Sequence, residues 1–229
     1  MVPAAKPAES RSTSAGTTIR GIRPTPTRSH DDAERNGAAV DGRTRRAQRT
    51  RQGVIDAVLA LIAEGDLRPT APRIAERAGV SLRSVFQHFS DLDALFVEAS
   101  DREISRISSR VETIDPSGPL DARIEAFVRQ RARVLEQVTP ARRAALLQEA
   151  TSPAVVEVRD RLLALGREEV ARTFEPELKT RKRDDRGELL DALDAATGWQ
   201  MWEALRAHQG LGVDRAKAVV ARIVRALLA

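Results

Sequence analysis

The stretch Ala71–Ser90, APRIAERAGVSLRSVFQHFS, gathers the side chains of this sequence best suited to hydrogen bonding a polyanion. Arg83 and Gln87 are four residues apart, so a helix would present both on one face. Arg pairs bidentately with the edge of guanine and Gln with that of adenine. Leu82 and Ser84 share the outward positions, whereas Val85 and Phe89 point inward. Gly79 supplies the positive φ of a tight turn between two helices. Ala75 is small where those helices would cross, and Ile74, Val80 and Val85 can meet beneath the turn. A small residue, a Gly four later and an apolar residue six after that is helix-turn-helix spacing. The second helix of such a unit enters the major groove by its N-terminal end. The competing reading is an ordinary helical hairpin inside a core.

Charge favours the first reading. The 229-residue chain has 38 Lys and Arg against 33 Asp and Glu, a formal charge of +5. Residues 43–90 hold nine Arg and four acids, whereas residues 1–42 carry a net +1 and the last 139 residues a net −1. The excess is thus confined to the segment containing the hairpin, which suits a polyanion such as nucleic acid.

Other chemistries lack their residues. There is no Cys, which excludes disulfides, thiolate metal sites and a cysteine nucleophile. His30, His88 and His208 are too scattered for a His-based metal site. Glu168-Glu169 and Asp184-Asp185 are adjacent pairs, which do not converge on one site of a helix. No Gly-rich phosphate loop and no nucleophile–base set is visible, so neither enzyme nor cofactor is expected. The longest apolar run, Ala57–Ala63, is far below the roughly 20 residues that span a bilayer. With no apolar leader segment either, a soluble cytoplasmic protein is expected.

The elements that must position the hairpin read as helices throughout. Residues 1–44 are rich in Pro, Gly, Ser and Thr and are expected to be disordered. From about Arg46, Val54, Ile55, Val58, Leu61 and Ile62 recur at the spacing of one buried helical face, and Gly65 closes that helix. Thr70, Ser81 and Asp91 can each cap a following helix, the last running to about Arg110. Asp115–Pro119 is a break. Thr139-Pro140 and Ser152-Pro153 each read as an N-cap followed by Pro at the first helical position. Residues 176–185 read as a charged loop, and the last helices as 186–207 and 214–228. No alternating β-branched run suggests a strand. The expected fold is all-α with about nine helices. Residues 45–92 would form a three-helix head, and 93–229 a helical bundle.

The sequence TAPRIAERAGVS at Thr70–Ser81, followed by Val85-Phe86-Gln87-His88-Phe89 and Asp93-Ala94-Leu95, resembles the TetR (tetracycline-repressor-type) family of bacterial regulators. The likeness runs from near Arg51 to Leu95, about one fifth of the chain. It implies a regulator, most often a repressor, that binds a palindromic operator in double-stranded DNA as a homodimer and is released by a small-molecule effector. By position, Thr70 and Ser84 match phosphate-contacting hydroxyls at helix starts. Leu82, Arg83 and Gln87 match base-facing positions, and Phe86 and His88 backbone-facing ones. Arg49, Arg73 and Ser81 complete the expected DNA-binding set. His88 also admits a structural reading, at helix contacts. The family usually has Tyr at Phe86, so a phenolic hydroxyl bond to phosphate is missing. It usually has Lys where Leu92 stands here between Asp91 and Asp93. Arg43, Arg45, Arg46, Arg49 and Arg51 are candidates to compensate as a basic arm at the minor groove.

Beyond residue 95 the family would place dimerisation and effector binding. Leu189, Leu193, Ala196 and Gln200 form one stripe; Val219, Val220, Ile223, Val224, Leu227 and Leu228 form another. Paired with their copies, they would make a four-helix interface, or each could pack on its own domain. Phe127, Phe174, Trp199 and Trp202 are candidate effector-binding residues, although the tryptophans could equally fill the core or the dimer interface. Glu149, Glu203 and Arg159 are possible polar anchors. So few aromatic platforms favour a flexible aliphatic ligand over a polyaromatic one. Two alternatives stand beside this reading: an effector-independent architectural DNA-binding protein, with a filled core, and an enzyme in the helical domain.

Overall fold

A computed structural model describes residues 30–229, with side chains from residue 42 onward. The chain divides into two units, 1–44 and 45–229. Of the first, the expectation of disorder falls outside the described residues for 1–29, whereas 30–44 are helical. The first helix, α1, spans His30–Ala63 and so begins well before Arg46. Its early turns contain alanines and charged residues and no proline, and Gly37 and Gly42 among them weaken the helix without ending it.

The second unit is helical throughout its described residues. Around the hairpin lie α1, α2 (Ala71–Ala78), α3 (Leu82–His88) and α4 (Leu92–Ser108). The apolar stripe of α1 is buried as its spacing requires, with Val54 and Val58 fully enclosed. It meets Ile74, Val85, Phe89, Leu95 and Ala99 in one core. Gly65 and Gly79 both take left-handed φ values, 96° and 66°. At each, two backbone N–H groups return to carbonyls of the preceding turn, ending α1 and α2 sharply. Ser81 caps α3 by accepting from Ser84 N at 3.1 Å, and Asp91 caps α4 by accepting from Ala94 N at 2.7 Å. Thr70 precedes α2, but its side chain makes no cap bond.

The bundle comprises α5 (Leu120–Leu146), α6 (Pro153–Thr173), α7 (Glu175–Thr180), α8 (Arg183–Thr197), α9 (Trp199–Glu203), a π-helical turn (Ala204–His208) and α10 (Val213–Leu228). The long central α5 packs on α10, α4 lies against α6, and α8 bridges α6 and α10. Ile124, Phe127, Phe174, Val170, Leu193 and Val224 are fully enclosed at the centre. Three expectations are corrected. Thr139-Pro140 does not begin a helix: α5 runs through it, with Pro140 inside. Thr139 Oγ1 donates to Leu135 O at 2.6 Å and accepts from Trp199 Nε1 at 3.1 Å, tying the kink-prone turn to α9. Residues 176–185 are not a loop but mostly α7 and the start of α8, because Leu178 is buried and anchors the segment. The single helix expected at 186–207 is interrupted at Gly198. A Cβ there would stand 3.2 Å from Asp194 O, closer than an ordinary contact.

A candidate nucleic-acid interface and a ligand cavity

The reading face is built on α3. Val85 and Phe89 face the core, 1% and 3% exposed, which turns positions 82, 83, 86 and 87 outward. Leu82 and Phe86 are 43% and 48% exposed, unusual for large apolar side chains. Arg83 and Gln87 are exposed beside them, while Ser84 and His88 are half-buried. The Thr70 hydroxyl, left out of capping, stands exposed at the start of α2, where helix N–H groups favour an anion. Ser81 keeps its hydroxyl proton free, since its cap bond uses it only as acceptor.

The arginines of this segment divide into two groups. Arg46, Arg49 and Arg83 are exposed and form no ion pair among the described residues. Arg73 is 62% exposed, with Asp66 Oδ2 3.4 Å from its Nε. Others are internal. Arg77 holds Glu64 through two bonds of 2.9 and 2.6 Å, and that bond keeps the Glu64 carboxyl below its ordinary pKa. Arg51, expected in a basic arm, is a tie instead. It bonds Glu98 of α4 through Nε at 2.9 Å and through Nη2, and donates from Nη1 to the His88 carbonyl. Its guanidinium also lies 4.5 Å over the Phe89 ring. The structural role considered for His88 therefore falls on its backbone carbonyl. Arg43 lies in the other unit, and Arg45 is not free of partners.

Residues 54–99, which hold this entire hairpin, match the family model for bacterial regulatory proteins of the tetR family. The helix-turn-helix segment, about a fifth of the chain, is thus similar to that of tetR-family regulators. Among curated proteins none matches it in sequence. The tetR-type fold recurs in solved structures. A transcriptional regulator from Rhodococcus sp. Rha1 shares 19% identity at a TM-score of 0.59, over 80% of this chain and 95% of that one. A putative tetR-family regulator from Mesorhizobium loti is 20% identical at 0.59, over 80% and 96%. The multidrug binding protein EbrR, complexed with imidazole, is 20% identical at 0.52, over 76% and 93%.

Within this tetR-type bundle a cavity of about 290 Å³ opens between α4, α5, α6 and the α8–α9 junction. Ile104 and Ile107 of α4, Leu135 and Val138 of α5, Leu162 of α6 and Trp199 give it apolar walls. Of the four expected effector residues only Trp199 lines it. Phe127 and Phe174 are fully enclosed in the core, edge to face at 5.2 Å between ring centres. Trp202 is also core, its indole N–H bonded to Glu136 Oε1 at 2.8 Å. Among the possible anchors, Arg159 lines the cavity, whereas Glu203 pairs with Arg143 at 2.8 Å elsewhere.

Two buried cavity cations were not singled out from the sequence, Arg131 and Arg142 of α5, each 8% exposed, nor was the exposed Arg172 of α6. The signal of the buried pair was legible, since Phe127, Arg131, Leu135, Val138 and Arg142 follow one helical face. Arg131 donates to Gly166 O at 2.7 Å and pairs with Glu169 at 3.1 Å, and Gln130 also donates to Glu169 at 2.8 Å. Burial pulls the Arg131 pKa down, against the charges of Glu169 and Asp194. Arg142 binds Glu149 and stacks 5.4 Å from the Trp199 ring. Burial raises the Glu149 pKa, but hydrogen bonds and charge from Arg142 and Arg159 outweigh it, so the carboxyl stays ionised below its ordinary range.

Proposed function

We propose that this regulator is a repressor that binds a palindromic operator as a homodimer and leaves it when a small ligand fills the bundle cavity. The course of α4 carries this reading. Leu95, Phe96 and Ala99 belong to the core beneath the reading helix, and Ile104 and Ile107 to the cavity wall. Leu95 to Ile107 is about 18 Å of one continuous helix, at 1.5 Å per residue. A ligand that favours a different α4 position moves the population away from the DNA-competent arrangement.

On this reading α3 lies in the major groove, with Leu82, Arg83 and Gln87 toward bases. Thr70, Ser84, Phe86 and His88 face the backbone, and Arg46, Arg49 and Arg73 neutralise phosphates. Ser81 sets the start of the reading helix. The dimer forms through α8 and α10. Leu193, Ala196, Val220, Val224 and Leu228 serve their own core, so the partner-facing stripe is the half-buried set Leu189, Val219, Ile223 and Leu227. Among the described residues no helix is long and apolar enough to cross a membrane.

The architectural alternative predicts a filled bundle, and the 290 Å³ cavity counts against it. Selection of bound duplexes from a random DNA pool tests the proposal: a palindromic consensus is expected. Affinity must also fall steeply with salt, because several arginines displace counterions. Binding that is flat between low and physiological salt would overturn the assignment.

A further inference from the structure

The cavity is not electrically even along its length, and the imbalance identifies a class of ligand. At the Arg131 end, charge is matched: Glu169 has both oxygens engaged, by Gln130 and Arg131, and Asp194 lies 3.6 Å from Arg167. Nearest the head, two guanidiniums, Arg142 and Arg159, share the single carboxylate of Glu149. The other acids around this end, including Glu103 on the wall of a smaller neighbouring lobe, are already held by arginines. Glu103 is held by Arg106 and Asp101 by Arg161, while Asp160 binds Arg159 from a position 60% exposed to water. Arg142 is more than nine-tenths buried yet donates only through Nη1. Its Nε and Nη2 make no hydrogen bond among the described residues. A second lobe of about 40 Å³ shares Arg142, Arg159, Val138, Ile107 and Leu162 with the main cavity, so the cationic pair sits at the junction of two apolar spaces.

We propose that the cavity binds an amphiphilic carboxylate, its acid group on the open N–H edge of Arg142 beside Arg159 and its aliphatic body along Val138, Ile107 and Leu162. This rests on the reading of the cavity as the effector site and adds the chemistry of the effector. An acidic headgroup adds a second buried negative charge beside the two guanidiniums, whose other acid, Asp160, lies in water, in a site where charge-assisted bonds are strong. A cation fits less well, since the most buried acid, Glu169, is saturated and the open acid of the wall, Glu168, is exposed to water on a wall that also carries Arg172. The size is modest, at the lower end of the roughly 300–1,000 Å³ of ligand pockets. The bound acid also competes with Glu149 for Arg142. The turn that holds Glu149 reaches the head through Leu147, whose carbonyl accepts from Arg68 at 3.4 Å.

Calorimetric titration of the full chain with decanoate, decanol and decyltrimethylammonium tests the proposal. Decanoate should bind about tenfold or more tighter than decanol, and the ammonium weakest, as loss of a charge-assisted bond predicts. Arg142→Gln should weaken decanoate about tenfold and leave decanol unchanged. Arg159→Gln, further from the core, should act in the same direction and carries the test if the first variant melts early. No decanoate binding, decanol binding as tightly, or indifference to both substitutions overturns the proposal. An operator-release assay separates the two levels. Decanoate that binds without releasing DNA defeats the effector reading and leaves the ligand class standing. Release driven equally by decanol does the reverse.

Discussion

Arginine performs opposite tasks in the two halves of this molecule. In the head, Arg46, Arg49 and Arg83 lie in water with no carboxylate across from them among the described residues. In the bundle, Arg123, Arg131 and Arg142 are 5–8% exposed and each touches an acid. A cation left unpaired in water costs little and stays available for phosphate. A buried cation must be matched, because desolvation of an unpaired charge is expensive. The near-neutral bundle and the basic head thus follow from one rule applied at different depths.

The sharpest way to break this contrast is to remove a matched cation. Arg123 donates to Gly118 O and Thr173 O, both at 2.8 Å, and pairs with Glu177. Arg123→Ala should cost about 3–5 kcal/mol in urea unfolding, since Glu177 is left uncompensated. A loss below about 1 kcal/mol would show that the bundle tolerates open charge. Next is Gln87→Ala, which should leave stability intact and reduce operator discrimination by about 1–3 kcal/mol at one position per half-site. An unchanged preference in a base-by-base binding scan would remove Gln87 from the reading set.

Acid separates the halves in another way. The hydrogen bond from Arg123 holds the Glu177 carboxyl below its ordinary value of 4.5. A depressed carboxylate contributes stability above that value and loses it as pH falls through the folded pKa. The melting temperature should therefore decline below pH 4.5, and less steeply in Arg123→Ala. Equal slopes in the two proteins would deny the pair its role. The smallest effect belongs to the head: Arg49→Ala should change stability by less than about 0.5 kcal/mol. It should still lower the slope of log affinity against log salt by about one. An unaltered slope would take Arg49 off the phosphate path.

Much of the head was legible because local rules decide it. Gly65, Gly79, Ser81 and Asp91 act within one turn of where they stand, and the burial of Val54 through Ile62 follows from spacing alone. What escaped was set by tertiary neighbours. Pro140 reads as a helix start, yet the packing of α5 carries the helix past it. Arg51 reads as one more basic residue until Glu98 and the His88 carbonyl arrive beside it. Phe127, Phe174 and Trp202 were named as cavity residues for their size, and size is also what core filling selects. Arg131 and Arg142 stand on an apolar stripe of α5, and only partners from other segments, Glu169 and Glu149, show that such charges can lie buried.

Arg51 has one more consequence. At seven residues, α3 is too short to hold a direction by its own backbone bonds. Its last carbonyl and the ring just beyond it are both fastened to Arg51, and through Arg51 to Glu98 on α4. That guanidinium acts as a dowel through three helices. With it in place, a turn of α4 about its axis cannot be absorbed as bending at the Ser90 corner and must swing the reading face bodily. Without it, the same turn would dissipate in the joint.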